Sequence, residues 1–233
     1  MKYTKTAAVG LALAAVLVLA SCETTNKLAI YNFEGARMYS EMQTPPPPKF
    51  DMHYDVMLDS HNIFFSSLSV LSNIAKATQS ENAKAAMADA LSSVDVPDII
   101  LRESANACGT SLGTTAEERR PDADYVLTLS IHEWGIEADS PASAVRLKVR
   151  LTARIIDRRA DDLVWRRTLT VSQPASTAVF GLPSFVGDMV TATALSNMTA
   201  DDLEAGFRAL AQETASSVGR LLQKDLDWAR YGY

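Results

Sequence analysis

Between residues 50 and 58 apolar and polar side chains alternate, with Met52, Tyr54, Val56 and Leu58 on one side and Asp51, His53 and Asp55 on the other. A period of two predicts a half-buried strand. The period then lengthens. Ile63, Phe64 and Phe65 are followed by Leu68, Leu71 and Ile74 at spacings of three and four, and an alanine-rich stretch covers residues 82–91. Two helices are predicted there. Pro97 opens a third, on which Ile100 or Leu101, Ala105 and Cys108 share a face, with Gly109 as its expected end.

After a charged, turn-rich stretch over residues 114–124 the period returns to two. Tyr125, Leu127, Leu129 and Ile131 alternate with Val126, Thr128, Ser130 and His132; Val145, Leu147, Val149, Leu151, Ala153 and Ile155 alternate with Arg146, Lys148, Arg150, Thr152 and Arg154. A third run covers residues 163–171, after a turn at 157–162. These runs predict an antiparallel meander with one wet face and one face packed on helices. Residues 180–197 are apolar but broken by Gly181, Pro183 and Gly187, a pattern that fits a lid or a contact surface. Thr199 then caps a long helix with Leu203, Phe207, Leu210, Thr214, Val218 and Leu221 in one stripe. The expected fold class is α+β: an antiparallel three- to four-stranded sheet packed on helices, a helical N-terminal half and a long C-terminal helix.

The first 21 residues change the picture. Lys2 and Lys5 precede an apolar run over 7–20, and no acid occurs before Glu23. This is the pattern of a secretory signal, and the run is shorter than the roughly 20 residues a membrane-spanning helix needs. The run ends Leu19-Ala20-Ser21-Cys22, which resembles the lipobox of bacterial lipoproteins. The resemblance implies cleavage before Cys22 and lipid modification of its thiol, and Glu23 in place of the aspartate that often marks inner-membrane retention implies the outer membrane. Multiple acyl chains exceed what stable anchoring requires. The expected organisation is a signal peptide at 1–21, a lipidated tether at 22–49 and a single periplasmic α+β domain at 50–233. The tether ends in four prolines, 45–48, which favour an extended polyproline II spacer of about 3.1 Å per residue.

The full chain has a net charge of −6. Removing the signal deletes two lysines and makes the balance more acidic, which argues against bulk nucleic-acid binding. With Cys22 acylated, Cys108 has no partner in the chain, so a disulfide framework is excluded. No phosphate loop, Walker motif or dinucleotide fingerprint occurs, and no cofactor is expected.

A second resemblance lies in the meander. The entry strand Asp124-Tyr125-Val126-Leu127, the long strand ending Ala153-Arg154-Ile155-Ile156-Asp157 and the return strand Leu163-Val164-Trp165-Arg166-Arg167 resemble the sheet hairpin of envelope lipoproteins in the ABC-transport auxiliary and curli-assembly-like groups. The chain departs from that pattern at Arg158-Arg159-Ala160-Asp161-Asp162, where a glycine-bearing turn is usual, and the helical stretch over 60–112 has no counterpart. The resemblance implies a periplasmic accessory or assembly factor with no reaction of its own; fold analogy by itself carries little functional weight.

Three constellations could carry chemistry. Asp51, His53, Asp55, Asp59 and His61 could offer metal ligands from a strand face and the next turn, but a solvated strand carries the same residue types and no tetrahedral set is completed, so no metal is expected. Cys108 with a histidine is the only nucleophile pair worth naming, and the small residues around it suit helix packing better than activation. Arg146, Lys148, Arg150 and Arg154 line one strand face with Arg166 adjacent, a positive stripe in an acidic protein. It is the nominated partner-binding surface, for anionic headgroups or an acidic protein, although an exposed sheet face carries such residues without any partner. Trp228, Tyr231 and Tyr233 read as a frayed aromatic tail.

The expected function is thus an outer-membrane-anchored, periplasm-facing accessory or binding module in envelope transport or assembly. Its expected partners are the membrane, through the lipid at Cys22, and an envelope protein, with no nucleic acid or nucleotide. The alternatives are a lipid-binding carrier and a lipid-anchored enzyme using Cys108.

Overall fold

The computed structural model describes residues 24–52, 81–138, 144–175 and 198–232. Its centre is the meander of β5 (Tyr125–Ala138), β6 (Arg146–Asp157) and β7 (Asp162–Pro174), paired antiparallel. Four short strands enlarge it: β1 (Thr25–Asn26), β2 (Arg37–Met42), β3 (Lys49–Met52) and β4 (Thr115–Glu117). The order is β1-β7-β6-β5-β2-β4, and β3 pairs with β5 beyond the end of β2. β1 is antiparallel to β7, whereas β2 is parallel to β5 and β4, and β3 is parallel to β5.

This overturns the expected fold in two respects. The sheet is mixed and seven-stranded, not antiparallel with three or four strands, and the N-terminal segment supplies three of its strands in place of a helical half. The tether expected over 22–49 gives way to sheet from Thr25 onward, and the expected domain boundary at residue 50 falls inside β3. The tetraproline stretch connects two strands of the sheet. Prolines lack the N–H that pairing requires, so the stretch bridges β2 and β3 along one edge of β5: Gln43 N–H still donates to the Leu129 carbonyl at 2.9 Å, the Trp134 indole donates to the Pro46 carbonyl at 2.9 Å, and ladder pairing resumes at Lys49 opposite Gly135.

Opposite this stretch, β5 carries a bulge between Ile131 and Glu133. Its inward positions therefore shift from Leu127, Leu129 and Ile131 to Trp134, Ile136 and Ala138, all buried. A bulge bends a strand and increases its twist. Gly135 follows at φ 143°, where a Cβ would stand 1.7 Å from the Lys49 carbonyl oxygen, so only glycine allows β3 to close on β5.

Among the described residues three helices lie on the inner side of the sheet, two of them packed on its strands and the other on the C-terminal helix. α1 spans Glu81–Ser93 and α2 spans Val96–Leu112. Asp95 caps α2, accepting a bond from the Asp98 N–H; Pro97 lies in its first turn; and Gly113, not Gly109, ends it at φ 70°. α3 spans Ala200–Tyr231 from a Thr199–Asp202 capping box and includes Trp228 and Tyr231 of the tail that was expected to fray; Tyr233 lies outside the described residues. Its buried side, including Leu203, Phe207, Leu210, Val218, Leu222 and Leu226, packs on β6, β7, α1 and α2. Leu222, not Leu221, lies fully inside. The Trp134 ring meets Phe207 edge-on at 6.2 Å. Gly219 admits α2 so closely that a Cβ there would lie 2.7 Å from that of Ala107. The expected strand over 50–58 is described only to Met52; the helix expected from Ile63 and the segment 180–197 lie outside the described residues.

Candidate functional site

The sheet has one face under the helices and one facing away from them. On β6 the buried residues Leu147, Val149, Leu151, Ala153 and Ile155 point inward, so strand alternation places Arg146, Lys148, Arg150, Thr152, Arg154 and Ile156 on the outer face. Pairing sets Arg154 directly opposite Arg166 of β7, and Arg150 opposite Thr170. The structure thus brings together the five residues nominated from sequence: four along β6 and the fifth beside Arg154.

Their electrostatic settings differ. Lys148 is held between Glu133 at 3.2 Å and Glu137 at 3.4 Å, and its hydrogen bond to Glu133 raises its pKa above the usual lysine value. Arg146, Arg150, Arg154 and Arg166 have no carboxylate partner among the described residues, and the Nε atoms of Arg154 and Arg166 are buried without a hydrogen-bond partner. The other arginines that flank this face are engaged: Arg120 reaches Glu41 at 3.7 Å, and Arg158 donates to the Ala123 carbonyl.

Beside the arginines runs a hydrogen-bonded row of small polar groups. Thr128 donates to Glu41 at 3.2 Å and Ser130 to Gln43 at 2.6 Å; Thr152 bonds His132 Nε2 at 2.7 Å and Thr168 at 2.8 Å. Thr128, Ser130 and Thr152 are buried although they belong to the polar face. Beyond this row, Val126 and Ile156, themselves register partners, floor an open cleft of about 380 Å³ whose walls are Arg120, Pro121, Arg158 and Asp161. Val126 and Ile156 lie two residues from Thr128 and Arg154, so the cleft and the Arg154–Arg166 pair are contiguous on one surface.

The remaining candidates are dispersed. Cys108 is buried on α2 under the inner face, and burial pushes its thiol up to about 12, far from the thiolate a nucleophile needs. His132 sits on the outer face, so the sheet separates it from Cys108. Of the candidate metal ligands only Asp51 lies in a described strand; His53, Asp55, Asp59 and His61 lie outside the described residues. Among the described residues no cluster of three or more histidine, cysteine, aspartate or glutamate side chains could hold a metal.

No protein family and no curated protein matches this chain. Solved structures do resemble it in outline. A Xanthomonas campestris protein of family DUF330 is 17% identical over 82% of this chain and 86% of its own, with a TM-score of 0.40. A PelC dodecamer from Paraburkholderia phytofirmans is 12% identical over 86% and 93%, with a TM-score of 0.38. At such values the functional reading rests on the residues of this chain.

Two features escaped the sequence reading. Arg120 and Arg158 sit in turns whose sequence signals nothing but a connection, and only pairing brings them to the cleft. Asp225 reads as one polar residue among several near the end of a helix. In the fold it is 6% exposed, and its carboxylate accepts from the Trp165 indole at 2.8 Å and from both Nε and Nη2 of Arg167 at 2.5 and 2.7 Å. Its carbonyl also accepts from the Asn26 side chain at 2.9 Å, which ties β1, β7 and α3 together.

Proposed function

We propose that this protein is a lipoprotein anchored through Cys22 in the outer membrane, facing the periplasm, and acting as a non-catalytic accessory module in envelope transport or assembly. The observation that carries the reading is the sequence Leu19-Ala20-Ser21-Cys22 at the end of a basic and then apolar segment. Two further features support it. Sheet structure begins at Thr25, so a lipid on Cys22 would hold the domain close to the bilayer surface. The basic residues Arg146 to Arg154, with Arg166, lie on the sheet face turned away from the helices, a position in which a partner would meet them. Tethering raises effective concentration at the membrane and brings partners together without chemistry.

Palmitate labelling and membrane fractionation test the anchor. The native chain should incorporate label and sediment with outer membranes, and Cys22→Ala should lose both; an unlabelled or soluble native chain would refute the anchor. Crosslinking of the intact protein in membranes, followed by affinity purification, should then recover an envelope protein in stoichiometric amount that is lost in the Cys22→Ala control.

A further inference from the structure

We propose that the outer sheet face binds a phosphate monoester carried on an apolar group, with Arg154 and Arg166 gripping the phosphate and the cleft over Val126 and Ile156 receiving the apolar part. This deepens the assignment of the basic face as a binding surface but does not depend on the lipid anchor.

Like charges directly opposite each other on neighbouring strands are destabilising. Arg154 and Arg166 occupy such a pair, and no carboxylate among the described residues relieves it. The contrast within the chain is informative: Arg37, Arg102, Arg119, Arg159, Arg167, Arg208 and Arg220 each reach an aspartate or glutamate. The nearby Glu41 is already occupied by Thr128 and Arg120. In a chain of net charge −6, two adjacent half-buried arginines stand side by side with no carboxylate partner among the described residues, and their buried Nε atoms make no hydrogen bond.

The donor geometry selects the anion. Each guanidinium presents a planar fork that pairs with two oxygens, so two forks outnumber the oxygens of a single carboxylate. A phosphate monoester offers three terminal oxygens and a charge approaching that of the pair. The surface around the pair selects the substituent. Arg150 continues the polar side, while the opposite side opens on a cleft of about 380 Å³ in which Ile156, with Val126 buried beneath, lies between Pro121 and the side chains of Arg120, Arg158 and Asp161. A lipid phosphate combines both chemistries.

The test is calorimetric titration of the full chain carrying Cys22→Ala, with dihexanoyl phosphatidic acid below its micelle concentration and, separately, with inorganic phosphate. Saturable one-to-one binding of the lipid phosphate is expected, with inorganic phosphate about tenfold weaker or more, a difference of about 1.4 kcal/mol. Arg154→Gln and Arg166→Gln should each weaken the lipid phosphate by at least about tenfold. Because each substitution removes a like-charge contact, neither variant should unfold more readily than the parent. Ile156→Ser should weaken the lipid phosphate and leave inorganic phosphate unchanged. Equal affinity for the two ligands would overturn the apolar half of the site. Absence of binding, or binding indifferent to both arginine substitutions, would overturn the whole. Anchoring through Cys22 is read from fractionation, so either conclusion can fail alone.

Discussion

Cys108 and Asp225 are both polar residues in the core, and their surroundings give them opposite characters. The Cys108 thiol is surrounded by apolar groups, which disfavour the thiolate and push its pKa up to about 12. In the native protein at pH 8 it should be inert to a disulfide reagent such as dithiobis(nitrobenzoate) and should react at the rate of a free thiol once denaturant exposes it; fast labelling of the folded chain would contradict the packing described. The Asp225 carboxylate instead meets three donors, and its contact is the main reason the Arg167 guanidinium binds its proton more tightly than usual. Asp225→Ala leaves Arg167 and the buried Trp165 indole without their acceptor. The expected loss is about 3 kcal/mol, near the low end for breaking a buried pair because Arg167 keeps some access to water. Urea denaturation of the two proteins measures it directly.

At the scale of elements, β5 is the strand on which the others depend. It pairs with β6 along one edge and with β2 and β3 in succession along the other, and the tetraproline stretch is accommodated where the bulge interrupts the ladder. Gly135→Ala places a methyl group against the Lys49 carbonyl at a positive φ, and should cost at least about 3 kcal/mol. The damage should be local first: amide exchange should rise in β3 before the β5–β6 ladder opens. The segment from Asn26 to Tyr31 is fastened in another way. Lys27 and Tyr31 both bond to Asp162, at 2.7 and 2.6 Å, at the start of β7, and Asn26 bonds to the end of α3.

That fastening makes the attachment of the N-terminal segment to the molecule depend on pH at both extremes. The bond from Lys27, and then that from Tyr31, lowers the pKa of Asp162 below the ordinary 3.8. Its contribution is therefore present above pH 3.8 and is lost as pH falls through the depressed value. The same bond raises Tyr31 from 10 to about 12, so its contribution is complete below pH 10 and disappears between pH 10 and about 12. Asp124, lowered chiefly by the Arg37 backbone N–H, adds a second acid-side loss. Ultraviolet titration should show Tyr31 ionising near pH 12 in the native protein and moving toward 10 in Asp162→Asn; an unchanged curve would show that the bond is absent in solution. No described helix is long and apolar enough to cross a membrane.

Periodicity alone located β5, β6, β7, α2 and α3, because each is long enough for its buried side to repeat several times and its caps are local chemistry: Asp95 with Pro97, and Thr199 with Asp202. The basic row was legible for the same reason, since alternation on one strand requires no knowledge of its neighbours. The bulge left a trace, in that inward apolar positions move from odd to even numbers after Ile131, with His132 and Glu133 both polar. Of the short strands only β3 left a trace, in the alternation that begins at residue 50. β1 and β4 have two and three residues, β2 reads as a mixed polar segment, and parallel pairing unites residues far apart in the chain. The tetraproline stretch reads locally as a free spacer, and only the pairing of β2 and β3 with the same edge of β5 makes it a connection within the sheet. Cross-strand register also decided that Arg154 faces Arg166, that Arg120 and Arg158 meet at the cleft, and that Asp225 reaches β7. The Arg154–Arg166 pair crosses a single hairpin and was legible as adjacency, whereas the other two pairings are long-range, set by how the whole chain buries its apolar surface, and no short window of sequence contains both partners.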